Sequence, residues 1–343
     1  MMRLPLSWLL AFTTAALALL LLGSLATGPM TLTLGESLRA LFAGQESGIE
    51  SHKLLIVQEI RLPRTLLCIA VGGILGLCGA VMQGLFRNPL ADPGIIGVSG
   101  GAALGAALAI VLLAPLGQQL QATIGVGLLP LLAFLGGALT TTLVYLLGTR
   151  EGGTSVTVML LAGVAITALS GAVIGLLTYL ADDQMLRDLS LWQMGTLAAG
   201  KPADMVLALF TLAALLWLFM RDANPLNALL LGEGEARHLG VNVQSLKRRL
   251  ILLTAAGVGV AVAVSGMIGF VGLVVPHLVR LLAGPNHVRL LPLSALLGAA
   301  LLLAADMLAR TLLAPAELPV GIITALLGAP FFIWLLVKGR RAL

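Results

Sequence analysis

Three arginines are the side chains of this 343-residue chain best suited to bind an acidic partner. Arg61 and Arg64 flank Pro63, and Arg310 follows a long apolar segment much later in the chain. A guanidinium is permanently charged, and its planar fork can give a carboxylate two parallel hydrogen bonds. The same residues can instead anchor helix ends by extending their charged heads from an apolar layer into water. Spacing alone favours neither interpretation.

Other patterns that carry chemistry are missing from the sequence. It contains no H-E-x-x-H motif and no G-x-x-x-x-G-K-[ST] phosphate-binding loop, since the tripeptide GKP at 200–202 fails that pattern. Its four histidines are dispersed. We therefore expect no catalytic residue, no metal site, no cofactor and no ATP site in this chain, and so no enzyme.

Asp306 is the one ionisable residue predicted to lie deep in an apolar segment. Arg310 follows four residues later, so both side chains share one helix face and can pair. Charges in such positions often mark proton paths in ion-coupled transporters. With a single candidate, a structural pair is at least as well supported as a proton relay.

The elements that must position these residues are membrane-spanning helices. The chain is 59% hydrophobic and 10% charged, with a mean hydropathy of +1.06. Helices satisfy their own backbone hydrogen bonds in lipid, and the apolar windows are longer than barrel strands. We predict an all-α polytopic membrane protein. Its ten predicted spans are 5–26, 65–86, 95–113, 128–147, 156–181, 205–220, 250–264, 268–282, 291–312 and 320–337.

The basic residues orient these spans. They are scattered between apolar segments, which argues against a nucleic-acid partner. With both termini in the cytoplasm, thirteen of the 20 Lys and Arg residues fall on the cytoplasmic side, as the positive-inside rule favours. The three arginines then lie at the outer face. The sixth, seventh and eighth spans are predicted to be short.

Two segments outside the spans are long enough to be structured. Residues 31–44 are predicted to form a helix on the outer surface, because Thr33 and Glu36 have the spacing of a capping box. Residues 221–249 form the longest cytoplasmic connection and are predicted to contain one or two short helices that a partner can contact.

Two motifs are predicted to shape the backbone. The cytoplasmic turn after the second span contains Asn88, Pro89, Pro93 and Gly94; each proline restricts the preceding residue, and glycine relieves strain before the next helix. Pro276 follows three spaced glycines and is predicted to bend the eighth span. Both motifs are interpreted as architecture.

Six segments, in order along the chain, resemble the permease subunits of bacterial ATP-binding cassette (ABC) importers for iron-siderophore complexes, haem and vitamin B12. They are RLPR (61–64), GAVMQGLFRNPLADPG (79–94), WQMG (192–195), LGEGEARHLGVNV (231–243), GFVGLVVPHLVR (269–280) and ELPVGIITALLGAP (317–330). The resemblance covers about the whole chain, and the stretch 179–197 is most similar to the haem-transporting branch. It implies one permease domain, residues 1–343, with the type II ABC importer permease fold.

The resemblance also implies partners and site residues. The partners are a second copy of the chain, two ATPase subunits that hold ATP and Mg, a periplasmic substrate-binding protein and the lipid of the bacterial inner membrane. The positions that receive acidic residues of the binding protein correspond to Arg61, Arg64 and Arg310. The loop that couples to the ATPase corresponds to Leu229, Leu230, Leu231, Gly232, Glu233, Glu235, Ala236, Arg237, Leu239 and Gly240. Candidate gates of the translocation path are Thr149, Thr154, Ser155, Trp192 and Met194.

The sequence therefore predicts a permease subunit that carries haem across the inner membrane while separate subunits hydrolyse ATP. Ferric siderophore and cobalamin are the alternative substrates. An ion-coupled secondary transporter is the rival from another class, and it would work as a lone protein. A membrane-embedded enzyme is the third, but the sequence offers no convergent set of nucleophile, base or metal ligands.

Overall fold

The computed structural model describes residues 5–30, 32–42, 50–114, 127–150, 153–198 and 200–340. Residues 31, 43 and 44 of the predicted surface helix lie outside these ranges. So do Arg3 and Arg341, which contribute to the predicted orientation of the termini. Within the described ranges, the secondary structure consists of helices and one two-stranded hairpin.

Ten helices among the described residues match the ten predicted spans in order. Seven are long and apolar enough to cross a membrane, and three are apolar but shorter. The long ones are α1 (Leu6–Ala26), α3 (Ser51–Leu85), α5 (Leu128–Gly148), α6 (Val156–Leu180), α8 (Pro202–Arg221), α11 (Val243–Ser265) and α13 (His287–Thr311). The other three are α4 (Val98–Val111), α12 (Val271–Ala283) and α14 (Val320–Arg340), whose apolar part Val320–Leu335 is the shorter stretch.

The remaining elements connect these helices. Four further helices are α2 (Leu34–Phe42), α7 (Asp183–Gln193), α9 (Ala223–Leu231) and α10 (Glu233–His238). Strands β1 (Thr149–Arg150) and β2 (Gly153–Thr154) form an antiparallel hairpin between α5 and α6. The prediction of three short spans is correct only for the eighth: α8 has 20 residues and α11 has 23, whereas α12 has 13.

Helix α3 is the centre of the bundle. In its most apolar window 89% of residues are buried, against 17% in the corresponding windows of α1, α6 and α8. At Gly72, Gly76 and Gly79, an added Cβ would lie within 2.4 Å of a backbone oxygen of a neighbouring helix. The sequence-based prediction of close packing through these glycines is therefore confirmed.

Helix α12 continues through Pro276 without interruption, and the bend predicted at this residue stays a prediction. Proline has no N–H to give the carbonyl four residues earlier, which belongs to Gly272. Gly79 of α3 approaches that oxygen so closely that a Cβ there would lie 1.9 Å from it. The helical pattern is interrupted between α11 and α12, where Gly266 and Phe270 both have φ of 68°.

The segment between α3 and α4 is more than a tight turn at the bundle's edge. Its first part closes through a hydrogen bond from the Ala91 N–H to the Asn88 carbonyl (3.1 Å). It then returns inward as the 3₁₀ turn Pro93–Ile96, which packs against Gly272 of α12. Gly272 also lies beside Leu75, so the turn is about 15 Å inside the end of α3. Helix α4 is correspondingly short.

The surface helix α2 begins with the predicted capping box. The Thr33 N–H donates to the Glu36 carboxylate (2.8 Å), and the Glu36 N–H donates to the Thr33 hydroxyl (3.2 Å). Lys53 Nζ also donates to Glu36 (2.8 Å), which ties α2 to the first turn of α3. The hydrogen bond from Lys53, followed by those from Thr33, lowers the pKa of Glu36 to about 2.

Substituting Gly79 with alanine should destabilise the bundle, because the new Cβ meets the Gly272 carbonyl and neither backbone can move freely. We expect a loss of about 1–3 kcal/mol, typical of overpacking, measured as lower thermal stability in detergent. Gly175→Ala is the matched control, because nothing lies within 4 Å of its Cβ position. Equal stability of the two variants would contradict this account of the packing.

Candidate functional site

Five charged side chains form a network around the Pro63 region of α3. This arginine cluster consists of Arg61, Arg64, Asp306, Arg310 and Glu317. It joins α3 to the end of α13 and to the connection into α14. Charges removed from water must be paired, because their desolvation otherwise costs several kcal/mol.

Arg64 is the centre of the arginine cluster. Its Nε and Nη2 donate to Asp306 Oδ1 at 3.0 and 2.9 Å, and its Nη1 donates to Glu317 Oε2 at 2.7 Å. Asp306 also forms the predicted pair with Arg310 on its own helix, with 3.0 Å between Oδ2 and Nε. Asp306 is fully buried between two guanidiniums. This geometry supports a structural ion pair.

The other two arginines hold the end of α1. Arg310 Nη2 donates to the Ser24 hydroxyl (2.7 Å), and Arg61 Nη1 donates to the carbonyls of Leu25 (2.7 Å) and Ala26 (2.8 Å). The last carbonyls of a helix lack partners within it. Both guanidiniums therefore cap α1 as well as carrying charge.

Docking of a binding protein by the three arginines stays a prediction, but none of them stands free at the surface of this chain. Arg61, Arg64 and Arg310 are 3%, 7% and 2% exposed. Their hydrogen bonds are made inside the chain, which is why they can be buried. The member of the cluster that reaches solvent is the carboxylate Glu317, whose side chain is 31% exposed. The three arginines do converge, as predicted.

The opposite end of α3 carries the connection between α8 and α11. Asn227 of α9 accepts a hydrogen bond from the N–H of His287, the first residue of α13 (2.8 Å). His287 in turn packs on Gly84, in the last turn of α3. Arg64 and Gly84 are twenty residues apart on one helix, so the arginine cluster and this end of α3 are separated by about 30 Å.

Helices α9 and α10 present a mixed apolar and charged surface at this end. Leu231 and Leu239 are 67% and 64% exposed, and the charged side chains of Glu235 and Arg237 are exposed beside them. We call these four residues the coupling surface. Two exposed leucines next to opposite charges are typical of a face that a partner covers.

The other predicted coupling residues support this surface from within. Leu229 and Ala236 are buried, Leu230 and Glu233 are partly buried, and Gly232 and Gly240 have φ of 134° and 83° at the two ends of α10. Only glycine adopts such φ values readily. The predicted set therefore divides into an exposed face and the residues that position it.

The predicted gate residues fall into two separate groups. Thr149 and Thr154 face each other in the hairpin, with 3.1 Å between their hydroxyl oxygens, and Ser155 is the N-cap of α6. Trp192 is buried, and its carbonyl lies against Gly266, beyond the far end of α11. The hairpin contacts the first turn of α11, so the two groups lie near opposite ends of that helix.

Met194 belongs to the second group. Its carbonyl lies against Gly321, in the first turn of α14, where a Cβ would come within 2.2 Å. The carbonyl of Met267, in the break between α11 and α12, is 3.1 Å from the same position. The end of α7, the break between α11 and α12, and the start of α14 therefore meet at one point. The spacing of residues in the sequence did not reveal this contact.

Sequence reasoning missed two residues that organise these sites. Glu317 binds Arg64 together with Asp306, but in the sequence it is only the first residue of the segment 317–330. Lys247 is 2% exposed and pairs with Glu233 (2.6 Å), although it lies in the basic run Lys247–Arg249 that was counted only for topology.

Comparisons with known proteins agree with this geometry. The chain is 47% identical over 336 residues to the hemin transport system permease protein HmuU of Yersinia pestis, covering 97% of this chain and 96% of that protein. It is 43% identical to the vitamin B12 import system permease protein BtuC of Vibrio cholerae, covering 83% of each. A solved metal-chelate type ABC transporter in an inward-facing conformation superposes with a TM-score of 0.82 at 34% identity, covering 97% of this chain and all of that one. The FecCD transport family profile matches residues 16–338. The chain belongs to the FecCD transport family.

Proposed function

We propose that this chain is the membrane-spanning permease subunit of an ATP-driven importer in the bacterial inner membrane. The coupling surface is the observation that carries the proposal: exposed leucines flanked by charges lie between α8 and α11, outside the apolar helices, where a partner can cover them. The chain has no phosphate-binding loop, so the ATP and Mg belong to that partner. This end is then cytoplasmic, and the arginine cluster is periplasmic.

Haem is the proposed substrate. The support is the 47% identity to a hemin permease over nearly the full length of both chains, against 43% over 83% of a vitamin B12 permease. Ferric siderophore and cobalamin remain the alternatives. The chain performs no covalent chemistry on its substrate in this proposal. It provides the path, and ATP hydrolysis on the partner shifts it between states of different accessibility.

Two further partners complete the proposed importer. A second copy of this chain would form the other wall of the path. A periplasmic binding protein would deliver the substrate at the arginine cluster by presenting carboxylates. Because Arg64 already holds Glu317 at 2.7 Å, an incoming carboxylate has to exchange with Glu317 rather than meet a free guanidinium.

The transport assay that tests this function uses proteoliposomes containing the permease, its ATPase and its binding protein. We expect ATP-dependent accumulation of haem, with less accumulation of ferric siderophore and cobalamin, and no uptake when either partner is omitted. Uptake by the permease alone that follows an ion gradient would establish the secondary-transporter alternative. Preferential uptake of cobalamin would refute haem while leaving the importer intact.

Replacing Glu317 with glutamine should strengthen docking of the binding protein. The variant removes a competing carboxylate from Arg64, and a partly exposed charge pair is worth about 1 kcal/mol at most, or up to about fivefold in Kd. Surface plasmon resonance at low salt measures the change. Glu36→Gln is the control, because it neutralises another carboxylate at the same end. Unchanged or weaker binding in Glu317→Gln would refute the exchange.

Charge reversal at Arg64 does not test docking. It would leave Asp306 buried beside a second carboxylate, and breaking a buried pair costs about 3–5 kcal/mol. Loss of binding in that variant would therefore report loss of folding. Glu317→Gln keeps the Arg64–Asp306 pair and changes only the exposed partner.

Reversing both charges of the coupling surface, in Glu235→Lys with Arg237→Glu, should weaken ATPase association while leaving the permease folded. Both side chains are exposed, so the cost to folding should be below about 0.5 kcal/mol. Co-purification of the ATPase measures the effect. Asp183→Lys with Arg187→Glu, on exposed positions of α7 outside the coupling surface, is the matched control. Normal co-purification of the first variant would remove α10 from the interface.

A further inference from the structure

Lys247 is buried to an extent that is unusual for a lysine. It lies in the second turn of α11 and is 2% exposed, while its neighbours Arg248 and Arg249 in the same basic run are exposed. Arg249 is paired with Asp222 at the surface side of the helix. A buried ammonium is retained only where it is paired and hydrogen-bonded. Its partners therefore indicate what the residue is for.

The ammonium of Lys247 joins two elements that are distant in sequence. Its Nζ donates to Glu233 Oε1 at 2.6 Å and to the Thr154 carbonyl at 3.1 Å. Glu233 is the first residue of α10, which carries Glu235 and Arg237 of the coupling surface, and Thr154 is the last residue of the hairpin. One positive charge thus bridges the ATPase side of the chain and the connection into α6.

Gln244 holds the same hairpin residue from the opposite side. Its Oε1 accepts a hydrogen bond from the Thr154 N–H at 3.0 Å, so both backbone polar groups of Thr154 are bound by α11. Gly153 permits this approach, because its φ is 114° and a Cβ there would lie 2.3 Å from Gln244 Nε2. The hairpin is therefore fixed to α11 through its own backbone. Substituting the side chains of the hairpin does not remove these contacts.

The tethered hairpin leads directly into a membrane-spanning helix. The Ser155 N–H donates to the Gly148 carbonyl at 2.8 Å, which closes the chain from the end of α5 to the start of α6. Any displacement of Thr154 is passed to the first turn of α6 through this closed connection. The path from α10 to α6 consists of short polar contacts, each with a named donor and acceptor.

We propose that Lys247 is the positioning residue that makes α10 and the hairpin move as one body, so that displacement of the coupling surface reaches the cytoplasmic end of α6. The proposal rests on the proposed function, because it assumes that an ATPase contacts the coupling surface. The ammonium transmits the movement by holding Glu233 and Thr154 at once. A neutral side chain of similar length fills the same space but binds neither.

The test compares four variants in the complete transporter: Lys247→Met, Lys247→Arg, Gln244→Ala and Arg248→Met. We expect Lys247→Met to retain ATPase association but to reduce the haem transported per ATP by about tenfold, a coupling loss within the range seen along such networks. Lys247→Arg should restore part of the ratio, because it keeps a charged donor. Arg248→Met, a change at an exposed neighbour, should behave as the wild type.

A second measurement tests the role of Lys247 even if Lys247→Met folds poorly. Gln244→Ala loosens the hairpin without leaving a buried charge, and spin labels at positions 155 and 238 report the distance between the hairpin and α10. We expect one narrow distance in the wild type, with and without ATPase, and a broader distribution in both Lys247→Met and Gln244→Ala. A wild-type transport ratio and an unchanged distance distribution in these variants would overturn the inference. Failure of the wild-type permease to bind the ATPase would instead refute the proposed function.

Discussion

The backbone-to-backbone contact of α3 with α12 and α13 is the constraint on which the rest of the structure depends. Large side chains normally separate helix axes, but the glycines of α3 bring carbonyl oxygens of its neighbours to positions that any Cβ would occupy. The same close packing of α3 on α13 brings Arg64 within hydrogen-bonding distance of Asp306. The apolar packing in the middle of the helix and the charge pairing at the arginine cluster therefore join the same two helices.

Buried charges are paired in a similar way at both ends of this core. At the arginine cluster, Asp306 is enclosed by two guanidiniums, and Glu317 closes the network from the solvent side. At the other end, Lys247 is enclosed, and Glu233 is its partly exposed partner. In both places an internal charge is paired with a carboxylate on a connecting segment. The buried Arg64–Asp306 pair is costly to break, whereas the partly exposed pairs of Glu317 and Glu233 contribute less and hold the connecting segments in place.

Much of the fold follows from the sequence because its physical signals are local. Apolar windows gave all ten segments in order, and the Thr33 and Glu36 spacing gave the start of α2. The continuity of α12 through Pro276 did not follow from the sequence, because the sequence does not show that the Gly272 carbonyl packs against Gly79. The inward return of residues 93–96 also escaped prediction, since a turn looks the same in sequence whether it faces water or α12.

The candidate sites were predictable in part, and the limit has a physical cause. The convergence of Arg61, Arg64 and Arg310 followed from the topology and the family resemblance, but their burial depends on carbonyls at the end of α1 and on Glu317, which no motif connects to them. Lys247 did carry a signal. It falls four residues after Val243 and three before Leu250, on the buried face of α11, so helical periodicity alone placed a charge where an apolar residue is expected.

The separation of the two ends limits how they can communicate. They are about 30 Å apart along α3, and a glycine-packed helix has little freedom to bend, because its backbone already touches its neighbours. Movement is easier where the helical pattern is interrupted. One such place is the break between Ser265 and Val271, against which Trp192 and Gly321 pack, and another is the hairpin before α6. Both places lie beside α11 and at its two ends. In this arrangement α3 serves as the fixed frame, and α11, with a polar tether at one end and a helix break at the other, is the element through which a displacement can pass.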